Sequence, residues 1–152
     1  MKVLIDADGC PVVDITIALC RSRGIEVVLI ADTAHMFYCA DAHIITVDQG
    51  PDSVDFALVN RCASGDIVVT QDYGLACMCL ARGAQVIRQD GFIYSNDTID
   101  NLLNDRFETK KLRRLGKHLR GPKKRTSADN AAYLSSLEQL LNNIPCRKAD
   151  TG

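Results

Sequence analysis

No apolar run in this 152-residue chain approaches the ~18–20 residues that a membrane span requires. Strand-like sequence begins at Val3, which predicts no secretory leader. Internal repeats and low-complexity linkers are absent too, and the length suits one domain with a sizeable core. Among the seven cysteines (10, 20, 39, 62, 77, 79 and 146) there is no CxxC pair. Most lie in apolar segments, where a thiol behaves as a small hydrophobe, so a reduced, cytoplasmic compartment is expected. Cys77 and Cys79, with His35 and His43 remote in sequence, lack zinc-site spacing. One further absence is local. Residues 110–125 hold nine of the eighteen Lys and Arg and no Asp or Glu, so a net charge of −1 conceals a polarised molecule.

What the chain has is alternation. Apolar runs at 3–5, 25–31, 44–47, 66–71 and 85–88 read as buried strands, and 92–94 continues extended as a candidate edge. Helices are predicted at 12–23, 52–63 and 74–82. Pro11 suits the first turn of the first helix, while Gly24 and Gly83 close the first and third. This is a βαβ pattern. It predicts an α/β fold, a three-layer α/β/α sandwich around a mostly parallel sheet of about five strands.

Residues 33–42 stay ambiguous between a short helix and an edge strand. Beyond residue 95 the pattern turns helical. Ile99, Leu102, Leu103 and Phe107 make one stripe, and Leu112, Leu115 and Leu119 are the apolar anchors of the basic segment. Pro122 forces a loop before a final amphipathic helix carrying Tyr133, Leu134, Leu137, Leu140, Leu141 and Ile144 on one face. The expected organisation is a single domain over 1–145, helical from 95, with a frayed tail at 146–152.

Three stretches carry chemistry. In the first, a buried strand stops on Asp6 and Asp8 before Gly9 and Pro11 turn the chain. Strand side chains alternate, so the two carboxylates share a side, and like charges so close require water or a cation between them. Five strand candidates end at or near an Asp: 6, 32, 48, 72 and 90. In open parallel sheets the binding crevice lies beyond the strands' carboxyl ends, so several of these acids should line one rim. Asp32 and Asp90 are the first expected to be ordinary loop acids.

The second stretch is Asp52-Ser53-Val54-Asp55-Phe56. Asp52 suits the helix start. Asp55 falls in the second turn of a helix that looks largely buried, where a carboxylate is costly unless it meets a crevice or a partner. The third runs from Gly65 to Ala76 and includes Thr70, Asp72, Tyr73 and Gly74. If its strand neighbours the first, Asp6, Asp8, Asp55 and Asp72 meet in one pocket. An all-oxygen donor set selects Mg²⁺ or Mn²⁺, ions that serve phosphodiester displacement. Thr70 and Ser53 are candidates to hold a bound water there.

These stretches, together with the Gly121-Pro122-Lys123-Lys124-Arg125 loop, resemble the bacterial YaiI/YqxD family over nearly the whole chain, to about residue 143. That family is similar in turn to the PIN-like and NYN ribonucleases. The resemblance implies a PIN-like fold in which Asp6, Asp55 and Asp72 bind Mg²⁺ or Mn²⁺ and cleave RNA. It departs at Gly74, where many relatives carry a further acid; Asp8 is the residue expected to replace that charge.

The basic segment supplies an expected nucleic-acid surface. Arg113, Arg114, Lys117, Arg120, Lys123, Lys124 and Arg125 would grip the phosphates of single-stranded RNA, with Tyr73 as a candidate to stack a base. Two other readings stay open. One is a non-catalytic RNA-binding module of the same fold. The other is a haloacid-dehalogenase-like phosphatase with Asp6 as nucleophile and Asp8 as acid/base, although the Lys and late acidic pair of that class are not evident. The sequence fixes no oligomeric state.

Overall fold

The computed structural model describes residues 1–8, 10–32, 42–48, 53–96 and 125–142. Strands β1 (Lys2–Asp6), β2 (Glu26–Asp32), β3 (His43–Val47), β4 (Ile67–Val69), β5 (Gln85–Ile87) and β6 (Ile93–Tyr94) form one sheet in the order β3-β2-β1-β4-β5-β6. All neighbours pair in parallel except β6, an antiparallel edge on β5. The helices are α1 (Val13–Ser22), α2 (Ser53–Arg61), α3 (Tyr73–Ala81) and α4 (Ser127–Asn142).

Strand alternation builds the layers. Val3 and Ile5 of β1 face α1 and α4, joining Ile17, Cys20, Tyr133 and Leu137 in one core. Leu4, between them in sequence, faces α2 and α3 and packs with Leu58, Leu75 and Cys79 in the other. Each central strand is therefore apolar on both faces, as a parallel sheet covered by helices on both sides requires. The α/β sandwich expected from the sequence is what forms, with six strands where about five were expected.

One correction concerns α2. It is not largely buried: Leu58 is its one fully buried residue, and Phe56 is 60% exposed. The helix rests on the sheet by one narrow stripe. Its first residue is Ser53, so Asp55 stands in the first turn, not the second. An acid there complements the helix dipole, an explanation the sequence had withheld from it.

Two fastenings fix the sheet's ends. At the amino-terminal edge, buried Asp66 accepts from the backbone N–H of Lys2 at 3.1 Å, Lys2 Nζ at 2.7 Å and the backbone N–H of Ala63 at 2.9 Å. On the α1/α4 face, the Thr16 hydroxyl donates to the carbonyl of Val12 and accepts the Tyr133 hydroxyl, both at 2.6 Å. The turn between β5 and β6 lies directly under α4. Gly91 there has φ +92°, and a Cβ on it would stand 2.6 Å from the carbonyl oxygen of Ala132.

The ambiguous stretch 33–42 lies outside the described residues except for Ala42. So do Asp52, Ile144, the tail, the helices expected between 97 and 120, and the basic residues Arg113, Arg114, Lys117, Arg120, Lys123 and Lys124. No helix among the described residues is long and apolar enough to cross a membrane.

Candidate functional site

Chain order places the switch in winding between β1 and β4. The chain leaves β1 for α1 on one face and leaves β4 for α3 on the other. Two exits that diverge open a crevice between them, beyond the strands' carboxyl ends. Here it is an open notch of about 350 Å³ lined by Asp6, Asp8, Asp32, Ser53, Val54, Asp55 and Asp72. That space corresponds to roughly a dozen waters.

The carboxylates arrive from four places. Asp6 ends β1, with Asp8 just beyond; Asp32 ends β2; Asp55 projects from the first turn of α2; Asp72 precedes α3. Asp32 corrects the sequence expectation of an ordinary loop acid. It lies on the notch because β2 pairs with β1 up to the register Asp6↔Ile30 and runs two residues further, which brings Asp32 beside Asp8. Its N–H donates to Asp8 Oδ2 at 3.3 Å. Asp90, by contrast, does behave as a turn acid, paired with Arg88. Asp48 is exposed and does not line the notch.

Thr70 ties the site together. It is fully buried; its hydroxyl donates to Asp6 Oδ2 at 3.0 Å and accepts from the backbone N–H of Asp72 at 2.9 Å. A hydroxyl so placed positions two carboxylates and faces no solvent. Asp72 in turn caps α3, its Oδ1 accepting from the Leu75 N–H at 3.1 Å. Ser53 lines the notch, while Tyr73 packs half-buried against the α2/α3 core.

Electrostatics follow from this crowding. Burial, foremost, pushes the Asp6 carboxyl up to about 6; the Thr70 hydrogen bond opposes the shift, and the charges of Asp55, Asp8 and Asp72 add to it. The half-buried Cys10 thiol, raised chiefly by burial, feels Asp6 on one side and Arg125 on the other. Arg125 is the described end of the basic segment, two residues before α4. Its guanidinium is anchored on Asn130 Oδ1 at 2.6 and 3.0 Å.

The donor set is all carboxylate, which fits a hard cation. The arrangement is nevertheless open: among the described residues, no three His, Cys, Asp or Glu side chains stand in ready-made ligand geometry. Asp6, Asp8 and Asp72 each lean on a separate partner, Thr70, Asp32 and Leu75 respectively. Gly74 bears on this directly. A Cβ there would stand 3.3 Å from Asp72 Oδ1, so an acid at 74 would press on the carboxylate that caps α3.

The five cysteines in the described residues are free, and Cys20, Cys62 and Cys79 are buried, as small hydrophobes should be. The notch residue that sequence reasoning set aside is Asp32. For Asp32 the signal was present, as an acid ending a strand beside the first.

Fold and notch together define a doubly wound α/β protein with an acidic crevice at its switch point. The chain belongs to the YaiI/YqxD family, described as uncharacterized, whose model matches residues 4–143. A UPF0178 protein of Exiguobacterium sibiricum is 56% identical over 93% of this chain and 96% of its own length. UPF0178 proteins of Lachnoclostridium phytofermentans (45% identical, 95% of this chain, 99% of that one) and Clostridium acetobutylicum (44%, 93% and 97%) are similarly close. No solved structure matches the chain significantly.

Proposed function

We propose that this protein is a metal-dependent nuclease of PIN-like type that hydrolyses phosphodiester bonds in single-stranded RNA. The observation that carries the proposal is the convergence of Asp6, Asp8, Asp32, Asp55 and Asp72 on one notch at the switch point. Capping by Asp72 and the α2 dipole at Asp55 account for two of these acids singly, but not for the meeting of all five on one notch. Their mutual repulsion is a standing cost unless positive charge is brought in.

Asp6, Asp8, Asp55 and Asp72 would hold Mg²⁺ or Mn²⁺. When bound, such an ion polarises a phosphoryl oxygen and neutralises the phosphodiester's charge. The chain's own residues do the rest. Thr70 keeps the Asp6 carboxylate and the Asp72 backbone in fixed relation. Arg125, whose charge is felt at Cys10 together with that of Asp6, would offer a cation to an anionic strand that must approach acidic walls. The nine Lys and Arg of residues 110–125, with no acid among them, would supply further charge for phosphates.

The deciding experiment is Mn²⁺-dependent cleavage of a single-stranded RNA oligomer by wild type and by Asp72→Asn. The expected result is metal-dependent cleavage that falls at least a hundredfold in the variant. Intact RNA under all metal conditions, or cleavage undiminished in Asp72→Asn, overturns the proposal. Gly74 and the open carboxylate arrangement favour one alternative, an RNA-binding protein without catalysis. Tight binding of the same oligomer without cleavage would establish that instead.

A further inference from the structure

Beside the notch, the β5–β6 turn holds a rigid assembly. Arg88 Nε and Nη2 make a two-pronged pair with Asp90 Oδ1 and Oδ2 at 2.8 and 2.7 Å. The same guanidinium carbon lies 4.6 Å from the centroid of the Phe92 ring. Phe92 is braced by the buried Tyr94, edge to face, with centroids 5.4 Å apart at 87°. Asp90 Oδ1 also accepts the Phe92 N–H at 3.2 Å, and the Arg88 N–H donates to the Phe92 carbonyl at 2.8 Å. Every part of the plane is held.

The plane is also accessible. Arg88 keeps 32% and Asp90 40% of their side-chain surface in solvent. Phe92 lies against the guanidinium carbon, and about a third of the Arg88 side chain stays in solvent beside it. Its location is set by the sheet. The Thr70 N–H donates to the carbonyl of Ile87 at 3.1 Å, and the Thr70 hydroxyl reaches Asp6. Arg88 follows Ile87 directly, so it stands two strands from Asp6 on the same carboxyl-end rim, roughly 10 Å away by strand spacing.

An ion-paired guanidinium is a poor trap for a phosphate, since its charge is already answered. It is a good surface for a flat, unstacked ring, because guanidinium planes stack on bases without needing a free charge. We infer that Arg88, backed by Phe92 and clamped by Asp90, is a stacking platform for a nucleobase one or two nucleotides from the phosphate at the acidic notch. The inference rests on the nucleic-acid reading above and deepens it: a protein with this platform selects strands whose bases are unpaired. It also transfers to Arg88 the stacking role that the sequence suggested for Tyr73, whose ring packs against the α2/α3 core.

The test compares two fluorescent RNA oligomers of equal length, one complete and one abasic throughout, bound to wild type and to Arg88→Lys with Ca²⁺ in place of Mn²⁺ to suppress cleavage while keeping a cation at the acids. Lysine keeps the charge and the hairpin's ion pair but removes the plane. The expected result is a loss of about tenfold in affinity for the complete oligomer and none for the abasic one, as stacking of one base contributes. Equal effects on both oligomers, or no effect on either, overturns the platform while leaving the nuclease proposal intact. Failure of the wild type to bind either oligomer defeats the nucleic-acid reading itself, and the platform with it. Should Arg88→Lys not fold, Phe92→Leu carries the same comparison with the same expected discrimination.

Discussion

Asp6 concentrates the molecule's electrostatic tension. Its folded carboxyl sits at about 6 against an ordinary 3.8, so between those values the folded state holds a proton that the unfolded chain has released. Stability of the metal-free protein therefore rises as pH falls through about 6 and levels off near 4. Asp6→Asn removes the buried charge. It is expected to stabilise the metal-free protein at pH 8 by about 2 kcal/mol, an advantage that shrinks toward pH 4. Chemical denaturation at several pH values checks this, and an unchanged slope with pH would be the contrary result. Thr70→Val tests the same residue from its partner's side. The Asp6 carboxyl should move above 6 once the opposing hydrogen bond is gone, at a stability cost of ~1–2 kcal/mol, read by NMR titration and denaturation.

At the scale of elements, α4 and the β5–β6 turn depend on each other. Gly91→Ala would drive a Cβ against the carbonyl of Ala132 in an unfavourable backbone region, and a loss of roughly 2–3 kcal/mol is expected by thermal denaturation. Tyr133→Phe keeps the ring in the core but removes the hydroxyl joined to Thr16, costing about 1 kcal/mol. These elements also show what sequence could and could not disclose. The central strands were legible because each is apolar on both faces, a pattern a partly exposed segment does not produce. The helix of 127–142 was legible from its three-and-four spacing. Asp6 and Asp72 were legible because acids interrupt such runs only at their ends. The start of α2 was not, since Asp52 and Ser53 are equally good first-turn residues, and one position decided how Asp55 was understood. The notch-facing role of Asp32 was legible only in part: an acid ending a strand was visible, but not the register that carries β2 two residues past β1 and sets Asp32 beside Asp8. The Arg88 platform was hidden more deeply, because it requires a two-residue edge strand to fold back and bring Phe92 beneath the guanidinium.

For the molecule as a whole, charge is arranged against itself: an acidic notch in the sheet and a basic run in residues 110–125. An RNA strand, as proposed above, would meet repulsion at the acids and attraction at the basic run. Binding should thus be strongly salt-dependent. Replacing Lys123, Lys124 and Arg125 together by Ala is expected to lower the slope of log affinity against log salt by about 2 for single-stranded RNA. Titration at four or more ionic strengths measures it; a slope unchanged by the triple replacement would exclude these residues from the strand's path.

The hydrogen bond from Thr70 to Asp6 spans 64 residues of chain, with β2, β3 and α2 wound between its ends. No fragment lacking that whole winding can assemble the notch, because loop closure over such separations comes late in folding. Any divalent-ion affinity should therefore emerge during refolding only with the slowest structural phase. Nascent chains would lack the complete set of notch acids until Asp72 has left the ribosome.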